Sequence, residues 1–269
     1  VDTRWTMAAN KNSDIALITG ASAGIGRAFA EQLAPRCKAM ILVGRDADKL
    51  ATVAAELRPS GCDIHTLALD LTQPLAVAEV LEAIRQKGPV SILINNAGFA
   101  THSNLKHSDL DLEQKMVDLH CTATVALCRA ALPYMTELGR GRIVNVASLA
   151  GLIPMKGAAV YGGSKAFLSA FSQCLAKEER SAGIVVQCLC PGYTHSDFHY
   201  REALGEFDKS TVPEEFWQTS EEVAAASLAA LELERPPALF IPGASNRQWV
   251  RDELERQLAA LDALSSTGL

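Results

Sequence analysis

Short aliphatic runs recur along the chain between longer stretches of helical period. Ile15–Thr19, Ala39–Val43, Ile64–Leu69, Ser91–Ile94, Arg142–Val146, Val185–Cys190 and Ala238–Ile241 read as seven strands. Most are apolar at consecutive positions, the pattern of parallel strands covered by helices on both faces. Arg27–Leu33, Ala47–Leu57, Pro74–Gln86 and Gln114–Leu138 read as helices between them. This alternation predicts an α/β fold: a doubly wound parallel seven-stranded sheet in a three-layer α/β/α arrangement. The regular pattern lapses at Gly192–Thr219, which is rich in polar and aromatic residues: Tyr193, Phe198, Tyr200, Phe207, Phe216 and Trp217. A long connection after the sixth strand reads as a substrate lid over 192–219.

With 269 residues and no low-complexity linker, the pattern describes one domain, its core spanning about 14–243, followed by a helical tail over 244–269. Apolar residues make up 48% and charged residues 21%, and no run approaches the roughly 20 apolar residues of a membrane helix. Val1–Asp14 is polar, without the apolar stretch of a secretory leader. A net charge of −6 argues against nucleic acid as a partner. The seven cysteines fall into no CxxC spacing and read as buried, reduced thiols of a cytoplasmic protein; no metal site is expected.

Candidate chemistry begins at Thr19-Gly20-Ala21-Ser22-Ala23-Gly24-Ile25-Gly26, which follows an apolar strand and opens a helix. Glycine lets backbone approach a pyrophosphate, and the helix start turns free N–H groups and its positive dipole end toward the anion. Gly20, Ser22, Ala23, Gly24, Ile25 and Gly26 are therefore candidate dinucleotide contacts. No Lys-Ser/Thr follows the last glycine, so this is not a triphosphatase loop. The second strand ends in Val43-Gly44-Arg45. An acidic residue here would hold the adenosine ribose hydroxyls, whereas an arginine pairs with a 2′-phosphate. Arg45 therefore predicts NADP(H), with NAD(H) as the alternative and Asp46 as the neighbouring acid.

Farther along stand Ser148, Tyr161 and Lys165, the serine just after a strand and the Tyr–Lys pair one helical turn apart. Carbonyl reduction needs a proton at oxygen as hydride reaches carbon. A phenol with an ordinary pKa of about 10 suits that exchange once a nearby cation favours its anion. Lys165 is the expected cation, and Ser148 the group that orients the carbonyl oxygen.

Together these motifs resemble the short-chain dehydrogenase/reductase family, from Ile15 to about Gly243, which implies a Rossmann-like fold. The resemblance includes Asp70-Leu71, Asn95-Asn96-Ala97-Gly98, Tyr161-Gly162-Gly163-Ser164-Lys165 and Pro191-Gly192. It implies cofactor contacts from Asp70, Leu71, Asn96, Ala97, Gly98, Tyr161, Lys165, Pro191, Gly192, Thr194 and Ser196, with Ser196 standing where the family has a threonine. It also implies a fourth catalytic position, an asparagine in the family and His120 here, for which a modified proton relay is expected. The expected activity is NADP(H)-dependent interconversion of a carbonyl and an alcohol. Phe99, Leu152, Ile153 and Met155 suggest a bulky, apolar substrate. The rival reading is a cofactor-bound sensor with little turnover. A homodimer or homotetramer is implied through the helix bearing Tyr161, with Phe167, Leu168, Phe171 and Leu175 on the candidate face.

Overall fold

The computed structural model describes residues 13–196 and 209–265. Nine strands occur among them: β1 (Ile15–Thr19), β2 (Ala39–Gly44), β3 (Asp63–Ala68), β4 (Ile92–Asn95), β5 (Gly141–Val146), β6 (Ile184–Leu189), β7 (Tyr193–His195), β8 (Trp217–Thr219) and β9 (Leu239–Phe240). The helices are α1 (Gly24–Leu33), α2 (Ala47–Leu57), α3 (Pro74–Lys87), α4 (Leu110–Val117), α5 (Thr124–Leu138), α6 (Ala159–Glu178), α7 (Ser220–Leu231) and α8 (Ala244–Ser265).

Seven strands form one sheet in the order β3-β2-β1-β4-β5-β6-β9, parallel at every pairing. Strand alternation divides the core in two. Ala16 and Ile18 of β1 pack with Phe29 and Leu33 of α1 and with Val223 of α7. Ile15 and Leu17 face the other way, toward Val80 and Ile84 of α3 and Leu127 and Met135 of α5. Burying both faces explains the consecutive apolar positions of β1, β2 and β4; β3, at the sheet edge, is partly exposed and more polar. Chain order reverses between β1 and β4, the switch point at which open α/β sheets leave a crevice beyond their strand ends.

The expected helix Gln114–Leu138 is broken. It starts earlier, as α4, and passes through a π-helical turn, Asp118–Ala123, before α5. Wider turns of this kind insert a residue into the helix and re-aim side chains near functional sites. The expected lid keeps its two ends, which pair as β7 and β8, a small parallel sheet that periodicity over three residues cannot reveal. Residues 197–208, including Phe198, Tyr200 and Phe207, lie outside the described residues. Among the described residues, no helix is long and apolar enough to cross a membrane.

Candidate active site

The strand ends on either side of the switch point open onto one cavity of about 1100 Å³. The glycine turn forms one wall. Gly20 and Gly24 have φ of +65° and +56°, the left-handed region that side chains disfavour. A Cβ on Gly20 would stand 2.7 Å from Asn96 Nδ2, so this turn and the β4 exit are in close packing. Asn96 Nδ2 donates to the carbonyls of Thr19 and Gly20, and Thr19 Oγ1 accepts from the backbone N–H groups of Asn96 and Ala97. Gly26 is the one expected cofactor contact that does not line the cavity. A Cβ there would lie 2.3 Å from the Gly20 carbonyl oxygen, so its role is to let α1 pack beneath the turn.

The remaining expected contacts, from Gly20 to Ser196, all line this one cavity. A turn with left-handed glycines, closing on the start of α1 in an open cleft, fits a pyrophosphate. At the β2 end, Arg45 lies on the wall with Lys49, which sequence reasoning missed although it stands one helical turn from Arg45. The Asp46 carboxylate accepts from the Lys49 backbone N–H at 3.0 Å and so caps α2. Arg45 and Lys49 thus put two basic side chains on this end of the cavity.

Ser148, Tyr161 and Lys165 line the central wall of the cavity. Ser148 Oγ accepts from the Ala150 backbone N–H at 3.1 Å, which leaves its own proton for the phenol oxygen. Burial pushes the Tyr161 phenol up to about 12; the hydrogen bond with Ser148 acts downward, and the Cys190 thiol acts upward. Lys165 donates to the Val146 carbonyl at 2.9 Å and stands 5.8 Å from the Tyr161 ring centroid. Burial draws its ammonium down to about 8, against the thiols of Cys188, Cys121 and Cys190, which act upward. Lys165 thus stands beside the Tyr161 ring with its ammonium held by a backbone carbonyl, while the Ser148 hydrogen bond acts downward on the phenol.

His120 sits on the π-helical turn behind this wall, 1% exposed, and does not itself line the cavity. Its Nε2 accepts from the Phe99 backbone N–H at 3.3 Å, so Nδ1 carries the proton and donates to Ser164 Oγ at 2.9 Å. Ser164 in turn donates to the Tyr161 carbonyl at 2.8 Å. Burial, and then the Lys165 charge, hold the imidazole well below the ordinary histidine range, so it is neutral. The ring meets Tyr161 edge-on with centroids 5.9 Å apart. A Cβ on Gly98 would stand 2.8 Å from His120 Nε2, so the expected glycine at that position makes room for the imidazole.

Of the residues expected to shape the substrate space, Phe99 and Met155 line the cavity. Ile153 is instead buried with Leu149, Leu168 and Val250, and Leu152 packs against the same cluster. Trp249 was missed. It lies on α8, within the tail that carried no recognisable motif, yet it lines the cavity, stacks on Tyr193 at 6.5 Å and meets Phe216 edge-on at 5.4 Å.

A dinucleotide cradle beside a Ser–Tyr–Lys wall defines the site of a nicotinamide-dependent oxidoreductase. Comparisons with known proteins agree. The family model for short chain dehydrogenase matches residues 14–204. An uncharacterized oxidoreductase of Myxococcus xanthus (strain DK1622) is 35% identical over 183 residues, 68% of this chain and 72% of that protein. A short-chain dehydrogenase from Sphingobium yanoikuyae, solved in complex with NADPH, superposes with a TM-score of 0.79 at 33% identity, covering 92% of this chain and 96% of that one. The bulky-bulky ketone specific alcohol dehydrogenase from Comamonas testosteroni gives 0.77 at 31% identity, covering 94% of each chain. The chain belongs to the short-chain dehydrogenase/reductase family, enzymes that act on CH–OH groups with NAD(P).

Proposed function

We propose that the protein is an NADP(H)-dependent oxidoreductase that interconverts a bulky, apolar ketone or aldehyde with its alcohol. The convergence of Ser148, Tyr161 and Lys165 on one wall of the cavity that holds the glycine cradle carries this reading. A nicotinamide bound along the cradle supplies hydride to carbon or accepts it. Gly20, Ser22, Ala23, Gly24 and Ile25 would meet its pyrophosphate, with Gly26 behind them. Arg45 and Lys49 would meet a 2′-phosphate, and Asp70 and Leu71 the adenine. Asn96, Ala97, Gly98, Pro191, Gly192, Thr194 and Ser196 would line the nicotinamide end. The NADPH-bound Sphingobium relative supports the cofactor choice, and the Comamonas relative supports a bulky ketone.

On the protein side, Ser148 orients the carbonyl oxygen and Tyr161 delivers or removes its proton. Lys165 holds positive charge at the site and prepares Tyr161 for proton exchange. His120, neutral and bonded at both ring nitrogens, would hold the Phe99 backbone at the cavity wall and brace Ser164 against the Tyr161 carbonyl of α6. That role is narrower than a proton relay through the ring.

NADPH absorbance followed with a panel of ketones and aldehydes tests the proposal. Turnover that falls about 1000-fold or more in Tyr161→Phe is the expected result, given the scale of general acid–base catalysis. Tight NADPH binding without turnover of any compound, and no effect of Tyr161→Phe, would instead identify a sensor.

Self-association through α6 is part of the same proposal. Leu168 and Leu175 are buried in this chain, whereas Phe167 is 41% exposed and stacks on Phe171. A mass of two or four chains in solution is expected, reduced by Phe167→Glu. Seven free thiols fit a cytoplasmic setting.

A further inference from the structure

The cavity changes character along its length. Phe99, Leu149, Met155 and Trp249 give it apolar lining, and His102 and Lys156, both exposed, line it as well and so stand at its rim. Two loops build that rim, one following β4 and one preceding α6. The Ser103 backbone N–H donates to the Gly157 carbonyl at 2.9 Å and ties the loops together. Gly157 has φ +81°, and a Cβ there would stand 2.8 Å from Nε2 and 3.0 Å from Cδ2 of His102. Glycine is thus required for the turn and again as the seat of the imidazole. The arrangement brings His102 beside Lys156, and both side chains line the cavity.

The acids that line it, among the described residues, are Asp46 and Asp70, which belong with Arg45 and Lys49 to the cofactor end. At the substrate end an ammonium and an imidazole N–H donor therefore stand at the exit of an apolar channel, with no carboxylate beside them among those residues.

We infer that the substrate is amphiphilic: a carbonyl compound whose apolar body fills the channel and whose far end carries a carboxylate met by Lys156 and His102. This rests on the carbonyl-reductase reading and narrows its substrate class. An uncharged ketone gains nothing at the rim, whereas a carboxylate meets a cation already in water, at little desolvation cost. Contacts of this exposed kind are modest and weakened by salt, so they belong in KM rather than kcat.

The test pairs 9-oxodecanoate with 2-decanone, and decanoate with 1-decanol, all presented to the protein with NADPH. Reduction is followed by absorbance, and binding of the unreactive pair by fluorescence, for which Trp249 on the channel wall is a reporter. We expect kcat/KM to favour the keto acid by about fivefold at low ionic strength, through KM, with the preference shrinking in high salt. Lys156→Glu should reverse that ratio, and His102→Leu should reduce it. Equal kcat/KM for the two ketones, or a preference that survives Lys156→Glu, overturns the inference. If neither ketone turns over, the binding arm still decides. Decanoate bound more tightly than decanol in a Lys156-dependent way upholds the anion site while the reductase reading fails; equal binding overturns the site.

Discussion

Gly192 and Asn246 compete for a single volume. A Cβ on Gly192 would lie 2.5 Å from Oδ1 and 2.7 Å from both Cγ and Nδ2 of the Asn246 amide. Asn246 is fully buried, and its Nδ2 is shared between Gln218 Oε1 and the Pro242 carbonyl, each at 3.3 Å. One amide on α8 thus joins the cavity turn that precedes β7 to β8 and to the start of α8 itself.

Gly192→Ala should therefore destabilise the protein by about 1–3 kcal/mol, the usual cost of overpacking a filled interior. It should also weaken NADPH binding, because the turn moves with the clash. Asn246→Ala removes the obstruction but leaves a cavity. The double variant should be more stable than the sum of the two losses predicts, since the residues share one volume. Melting temperatures and NADPH titrations of the four proteins check this; strict additivity would show that the two positions are not in contact.

His120 makes stability depend on pH in a definite direction. Its folded-state pKa lies well below the ordinary 6.5, so below that pH the unfolded chain binds a proton that the folded chain refuses. Stability should then fall as pH drops below 6.5, approaching about 1.4 kcal/mol per pH unit from this residue until its folded pKa is reached. His120→Asn removes that slope. Melting temperatures between pH 7 and pH 5 should converge for the two proteins as pH falls. Parallel curves would mean that the imidazole takes up a proton inside the fold.

Lys165 gives the opposite end of the pH range a signature. Its ammonium, drawn down to about 8 by burial, loses charge as pH rises through that value. The kcat/KM for NADPH, which reports on the free protein, should decline above about pH 8 as the site loses positive charge. Lys165→Arg keeps the charge and should move that limb to higher pH, at lower overall activity because the fork does not reproduce the single bond to the Val146 carbonyl. A limb at the same pH in both proteins would assign it to another group.

Much of this site is legible in the chain itself because its parts are local. The glycine turn, the Asn96–Gly98 exit and the Tyr161–Lys165 helix start each lie within eight residues, at strand ends that aliphatic runs mark. What sequence alone does not show is what distant segments bring to the same cavity. Trp249 and Asn246 stand on a helix that also exposes Leu254, Leu258 and Leu261 among its charged residues, so nothing local distinguishes them from solvated tail residues. The resemblance singles out His120, but helical periodicity does not mark the π-helical turn on which it sits buried, bonded to Phe99 and Ser164. Leu152 and Ile153 fail for the converse reason: an apolar loop beside an active site packs inward as readily as it lines the opening.

On the NADP(H) proposal, cofactor choice should depend on a small group of charges at the end of β2. Asp46 is engaged as the cap of α2 through the Lys49 N–H, while the side chains of Arg45 and Lys49 line the cavity. Replacing Arg45 and Lys49 together by alanine should lower kcat/KM for NADPH by about tenfold or more, the scale of one charge-assisted hydrogen bond of 1.5–3 kcal/mol, and leave NADH nearly unchanged. The effect should appear in the KM for NADPH and diminish in high salt, because both groups are open to water. Asp46→Ala acts differently: loss of the cap should cost about 1 kcal/mol of stability, with little change in the NADPH to NADH ratio. Steady-state kinetics with both cofactors, alongside thermal melts, separate the two effects. Equal losses for NADPH and NADH in the double variant would show that these cations hold a part common to both cofactors, and the preference for a 2′-phosphate would then have to come from elsewhere in the cavity.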